Sequence, residues 1–253
     1  MSLSDLTTEE MTKKKTASLA VILIVALLLI DQVIKIWVKT NMHLYESIWI
    51  ADWFQIHFIE NNGMAFGLSF INKYVLTIFR IVAVVVIGIY LRNQIHRGAR
   101  SIYVVLLSML LAGAAGNIID CMFYGEIFTA SSPSYISYLV PFGHGYSGFL
   151  TGKVVDMFYF PLIVTTWPEW MPFVGGEEFV FFSPVFNFAD ACVSVSVIAL
   201  FLFCRKELAT LTIGEEKPKA DADGHNDLIV HPPRPIAHSL RPPLTPLTRR
   251  RSL

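Results

Sequence analysis

Asp156 and Asp190 each sit in a short polar and aromatic motif, Val154-Val155-Asp156-Met157 and Phe186-Asn187-Phe188-Ala189-Asp190. Two aspartates brought close together cannot both ionise easily. Like charge and desolvation raise one pKa, and the pair holds a single proton between them. In that state one carboxylate can take a proton from water while the other hydrogen-bonds a scissile carbonyl. Such a pair titrates as a unit, so neither aspartate carries a fixed acid or base role. As residue types alone the signal is weak, and helix capping by Asp190 with a loop turn at Asp156 accounts for them somewhat better.

Other polar residues stand in positions to support such a pair. Asp31 and Lys35 are four apart on one helical face and can pair, which lowers the cost of placing both near lipid. That spacing favours a bracing role over chemistry. Asn117 and Asp120 lie three apart and can bond to neighbouring helices or position the aspartates. Asn187 precedes Asp190 by three residues and can cap a helix or orient a reacting group. Arg80 either snorkels outward or answers a buried carboxylate; the residues do not decide. The seven histidines show no i, i+4 ligand pair, and Cys121, Cys192 and Cys204 lack metal-ligand spacing. No metal, nucleotide or disulfide framework is indicated.

The elements that must position these groups lie in a membrane. The 253-residue chain is 54% hydrophobic and only 16% charged, against about 25% charged in soluble domains. A helix needs roughly 20 apolar residues to cross a bilayer core. Four stretches meet or approach this, at about 17–38, 74–91, 101–119 and 189–205. The first follows Lys13-Lys14-Lys15 but runs beyond a signal-peptide core, with no cleavage site after it, and is read as retained. Arg92, Arg97 and Arg100 lie between the second and third, and Arg205 and Lys206 follow the fourth. An even number of crossings puts all these basic clusters on one side, which the positive-inside rule makes cytoplasmic. Both termini are then cytoplasmic, and residues 41–73 and 121–188 face outward. At 1.5 Å per residue, Asp31, Asp120 and Asp190 all arrive about 22–30 Å from the inner surface, near the outer edge of the membrane. Carboxylates kept at one depth mark a functional site. A proton-coupled transporter would instead spread them along a pore, and a non-catalytic assembly factor would tolerate isosteric replacement of either aspartate.

The alternation in Trp53-Phe54-Gln55-Ile56-His57-Phe58 predicts a half-buried strand. Glu60-Asn61-Asn62-Gly63 reads as a turn, with Met64 to Leu68 resuming an apolar course. Trp49, Trp53 and Phe54 suit a small sheet at the membrane surface. Residues 122–150 are rich in Tyr, Ser, Gly and Phe. Residues 161–185 combine Trp167, Trp170 and Phe181-Phe182 with four prolines, which suggests loops or a short amphipathic helix. Residues 1–15 form a cytoplasmic N-terminus, 16–210 the membrane domain, and 211–253 a disordered Pro/Arg-rich cytoplasmic tail.

Taken in order, Asp31-Gln32-x-x-Lys35, Glu60-Asn61-Asn62-Gly63-Met64-Ala65-Phe66-Gly67, Gly116-Asn117-Ile118-Ile119-Asp120, Val154-Val155-Asp156 and Phe186-Asn187-Phe188-Ala189-Asp190 closely resemble lipoprotein signal peptidase, the type II signal peptidase of bacteria. The resemblance runs from about residue 20 to 205. It implies an intramembrane aspartyl endopeptidase that removes signal peptides from diacylglyceryl-modified prolipoproteins, cutting just before the lipidated cysteine. Asp156 and Asp190 match its catalytic pair; Asp31, Lys35, Asn61, Gly63, Asn117, Asp120, Asn187 and Ala189 match residues around its active site. It further implies a four-transmembrane-helix bundle with a small periplasmic β-sheet cradle, a small outer helix and long outer loops. The site would face the periplasmic leaflet of the bacterial inner membrane. No cofactor, metal or nucleic acid is implied. The implied partners are prolipoprotein substrates, membrane lipids and globomycin-type cyclic peptides that inhibit, and nothing demands more than a monomer. Three departures stand out: Cys121 occupies the place of the family's usual Arg, the segments flanking Asp156 are longer than usual, and the proline-rich tail has no counterpart.

Overall fold

Helix α1 (Leu3–Asn41) reverses the usual order of polarity. Its buried positions include Asp31, Lys35 and Lys39, while Val33, Trp37 and Ile30 are exposed. In water this arrangement would be unstable. In hydrocarbon it is the expected one, because apolar side chains face lipid at no cost and charges must turn inward to partners. The spacing 31, 35, 39 keeps the three charges on one face.

In this computed structural model the described residues are 3–62 and 73–209, with side chains described from residue 10. Strands β1 (Ser47–Ala51) and β2 (Phe54–Asn61) follow α1 as an antiparallel hairpin. Helices α2 (Lys73–His96) and α3 (Ser101–Ile119) come next, and α3 continues through a π-helical turn, Asp120–Tyr124, into the short α4 (Gly125–Ile127). Strands β3 (Val154–Tyr159), β4 (Ile163–Thr166), β5 (Glu178–Phe181) and β6 (Val185–Phe186) lead to α5 (Phe188–Phe203) and α6 (Arg205–Ala209). Three segments, Glu10–Asn41, Lys73–His96 and Ser101–Ile127, are long and apolar enough to cross a membrane; α5, at 16 residues, is shorter.

Helix α3 is central and packs against α1, α2 and α5. Close approach depends on small residues, as it does between helices in membranes generally. A Cβ on Gly113 would lie 2.5 Å from the Ala189 carbonyl oxygen, and one on Gly116 would lie 2.7 Å from Asp31 Oδ2. Two apolar clusters lie on either side of the charged layer of α1. One gathers Ala20, Leu91, Leu107 and Leu200; the other gathers Val38, Phe58, Tyr124 and Val155.

The four-stranded sheet has the order β1-β2-β3-β6 and is antiparallel throughout. The alternation at 53–58 does form a strand, but β2 extends through Glu60 and Asn61, which are strand and not turn. Asp156 lies within β3 rather than in a loop, paired in register with Ile59. Residues 161–185 contain the β4–β5 hairpin rather than a helix. Gly63 and the apolar run after it, together with the tail from residue 210, lie outside the described residues. So does any small outer helix in those stretches; among the described residues between α1 and α2 and between α3 and α5, helical structure is confined to the π-helical turn and α4.

Candidate active site

The pairing of β3 with β6 brings the two aspartate motifs together. Phe158 pairs with Phe186, and the next residue, Asn187, is the N-cap of α5. Its side chain accepts from the Asp190 backbone N–H at 2.9 Å, and its own N–H donates to Asp190 Oδ2 at 3.3 Å. This reciprocal capping box fixes Asp190 in the first turn of α5.

Two amide side chains then link the carboxylates. Asn187 Nδ2 donates to Asp156 Oδ1 at 2.6 Å and to Asn117 Oδ1 at 3.0 Å. Asn117 Nδ2 donates to Asp190 Oδ1 at 2.7 Å. Asn61, at the end of β2, also hydrogen-bonds Asp156. Each carboxylate is therefore held by a neutral donor, which orients it without supplying a charge that would fix it as ionised. Asp156 is only 2% exposed, whereas Asp190 is partly open. Burial, reinforced by the nearby Asp190 charge, pushes the Asp156 pKa up to about 7.

Beneath this layer lies a buried charge cluster. Lys35 Nζ contacts Asp31 Oδ2 at 3.0 Å, Asp120 Oδ2 at 2.9 Å and Asn117 Oδ1 at 2.8 Å. The expected Asp31–Lys35 pair is present, and Asp120 joins it as a second carboxylate. Asp31 Oδ1 accepts the backbone N–H of Ala189 at 2.9 Å, tying α1 to the start of α5. Asp120 accepts from Gln32 at 3.0 Å and from the Val155 backbone at 3.3 Å, tying α3 to β3. Tyr124 donates to Gln32 at 3.1 Å and completes the set. These contacts make Asp31, Lys35 and Asp120 positioning groups. Lys35 reaches Asp190 through Asn117.

Thus Asp31, Lys35, Asn61, Asn117, Asp120, Asp156, Asn187, Ala189 and Asp190 converge, and Gly63 alone of the expected set falls outside the described residues. Arg80 is directed at Cys121, with Nη1 3.9 Å from Sγ. A second buried ion pair was not anticipated. Lys39 Nζ bonds Glu60 Oε1 and Ser131 Oγ, and lies 5.0 Å from the Tyr146 ring. Lys153 approaches Glu60 Oε2 at 3.2 Å. Burial would raise the Glu60 pKa, but the two lysines and the Ser131 hydroxyl hold it below the usual carboxylate range. The signal was available: Lys39 continues the 31, 35 face by one further turn.

A family model described as signal peptidase II matches residues 23–205, which span every site residue from Asp31 to Asp190. The chain belongs to the signal peptidase II family. A lipoprotein signal peptidase of Porphyromonas gingivalis is 51% identical over 199 residues, covering 77% of this chain and 86% of that protein. One from Amoebophilus asiaticus is 37% identical over 180 residues, covering 68% and 72%. A solved structure of a bacterial membrane enzyme, determined by the in meso method, aligns with a TM-score of 0.50 at 23% identity, covering 79% of this chain and 95% of that one; this likeness concerns the fold. As a member of the signal peptidase II family the chain is a peptidase, and its apolar helices make it a membrane protein.

Proposed function

We propose that the chain is an intramembrane aspartyl endopeptidase that removes signal peptides from diacylglyceryl-modified prolipoproteins, cutting on the amino side of the lipidated cysteine. The observation that carries this reading is the amide bridge Asp156–Asn187–Asn117–Asp190, with Asp156 held protonatable near neutral pH. Asp156 and Asp190 share one proton. The ionised member takes a proton from water as its oxygen attacks the scissile carbonyl carbon, while the protonated member hydrogen-bonds the carbonyl oxygen. Collapse of the tetrahedral intermediate breaks the C–N bond. The leaving amine of the cysteine takes up a proton, and the signal peptide departs as a carboxylate. No cofactor enters these steps.

Four crossings, with α5 as the fourth, place both termini in the cytoplasm of an inner-membrane protein. Lys13 to Lys15, Arg92, Arg97, Arg100, Arg205 and Lys206 support this orientation. The site then sits at the periplasmic leaflet, where a lipid-anchored substrate can enter from the side. Substrate backbone groups that leave a helix in lipid need replacement partners, which Asn61, Asn117 and Asn187 supply. Cyclic peptides of the globomycin type would compete for the same place, and one chain suffices for the chemistry.

The test is cleavage of a purified, lipid-modified substrate by the unmodified chain, Asp156→Asn and Asp190→Asn in detergent. Both variants are expected to fold, with unchanged melting behaviour, and to lose detectable turnover. Cleavage at the original rate by either folded variant would remove that residue from the pair.

A further inference from the structure

At the opposite end of α1 from the active site, the structure contains a groove of about 610 Å³ between α1 and α2. Its floor is apolar, built from Ala17, Ala20, Val21 and Ile24 on one side and Gly88 and Leu91 on the other. Its rim is basic. Lys13, Lys14, Arg92 and His96 line it together with the carboxylate of Glu10, which Lys14 meets at 2.9 Å. Lys13, Lys14 and Arg92 are permanently cationic, and His96 adds a titratable group beside them.

The dimensions are those of half a bilayer. Lys13 to Ile24 is eleven residues, or about 16 Å along α1, close to half of a hydrocarbon core about 30 Å thick. A molecule with an anionic head at the rim and a chain lying along the floor would match both the charge and the length. We propose that this groove binds one anionic phospholipid of the inner leaflet, with its phosphate among Lys13, Lys14 and Arg92 and an acyl chain against Ala20 and Leu91. The leaflet assignment rests on the cytoplasmic placement of the termini proposed above; the binding itself does not. Neither requires the catalytic assignment. A lipid held there would join α1 to α2 across the seam that direct helix contact leaves open, and basic residues at the cytoplasmic surface are attracted to anionic lipid in any case.

The experiment is native mass spectrometry of the full chain in detergent with equal amounts of phosphatidylglycerol and phosphatidylcholine. One retained phosphatidylglycerol per chain is expected, at least tenfold preferred over phosphatidylcholine. Lys13→Gln/Lys14→Gln/Arg92→Gln is expected to lower retention at least tenfold. Ala17→Phe, which fills the floor and keeps every charge, should also lower it. Arg97→Gln/Arg205→Gln/Lys206→Gln, an equal loss of charge at exposed residues that do not line the groove, should leave it unchanged. Equal retention of the two lipids, unsaturable binding of many lipids, or an undiminished signal in the groove variants would each overturn the proposal. A dimer that the groove triple variant abolishes would assign the groove to a second copy and likewise overturn it. Sidedness is read separately by a membrane-impermeant maleimide on intact cells carrying Lys15→Cys. Protection supports the inner leaflet, whereas labelling would move the groove to the outer leaflet and overturn that part alone.

Discussion

Replacing Lys35 by methionine should be among the most damaging single substitutions in the bundle. Lys35 is fully buried, as is Asp120, and Asp31 is only 1% exposed. Without the ammonium, Asp31 and Asp120 face each other across a space where Gln32 Nε2, at 3.1 and 3.0 Å, is the remaining side-chain donor common to both. Removing one partner of a buried ion pair costs about 3–5 kcal/mol, because the other charge is left without compensation. For a chain of this size, about 2–4 °C of melting temperature is lost per kcal/mol, so a fall of about 6–20 °C is expected. All three cysteines are buried, so a thiol-reactive fluorogenic dye reports unfolding directly. Lys35→Met/Asp120→Asn removes one of the stranded charges and should recover a substantial part of the loss. Lowering the pH should do the same for the single variant, because protonation neutralises the stranded carboxylates. A single variant melting within 2 °C of the unmodified chain would refute the claim that these charges are held by one another.

Four further outcomes follow from the same geometry. Asp31→Asn should lower the melting temperature while turnover per folded molecule persists, since Asp31 holds the Ala189 backbone and not the carboxylate pair; lost turnover with unchanged melting would contradict this. Asn187→Ala should cost about 1 kcal/mol as a lost helix cap. It should also depress turnover more than melting, because the same side chain donates to Asp156; a loss confined to stability would assign Asn187 to capping alone. The kcat/KM profile should fall as pH rises through about 7, because Asp156, pushed up to about 7 from 3.8, keeps its proton below that value and loses it above. The same raised pKa makes its contribution to stability largest at low pH and removes it as pH rises through about 7; a profile still climbing well above 7 would exclude Asp156 as the shared-proton site. Gly116→Val should sharply reduce the amount of folded protein, since even a Cβ there would lie 2.7 Å from Asp31 Oδ2; normal folding would show that α1 and α3 can separate.

Much of the site was legible because membrane physics restricts where charge can be placed. The basic clusters and the helical rise predict one depth for Asp31, Asp120 and Asp190, which do lie together around Lys35 and Asn117, and the i, i+4 spacing of Asp31 and Lys35 points to their pair. Sequence could not show that Lys35 serves two carboxylates, because the second comes from α3, more than 80 residues away. Asp156 was less legible still. Four consecutive buried residues, Val154 to Met157, give no alternating pattern, so the strand that carries them lacks the signal that marks a half-buried strand. Residue type favours a turn at Glu60 and Asn61, yet pairing with Val155 and Val154 keeps them in β2. Tertiary pairing overrode local preference at both places.

The two buried charge clusters divide the work of positioning between helix and sheet. Lys35 fixes α3 to α1 and, through Asp31 and the Ala189 backbone, fixes the start of α5; Asp190 is thereby placed by the bundle. Lys39 and Lys153 hold Glu60 at the end of β2, whose pairing partner β3 carries Asp156; Asp156 is thereby placed by the sheet. Asp120, accepting from the Val155 backbone, and the two asparagines connect the systems. Lys39→Met should therefore disturb the site differently from Lys35→Met. It should lower the melting temperature less, because Lys153 and Ser131 still hold Glu60, but loosen Asp156, lowering kcat and shifting the upper limb of the pH profile. Equal losses of stability in both variants, with the same pH profile, would show instead that bundle and sheet form one cooperative unit.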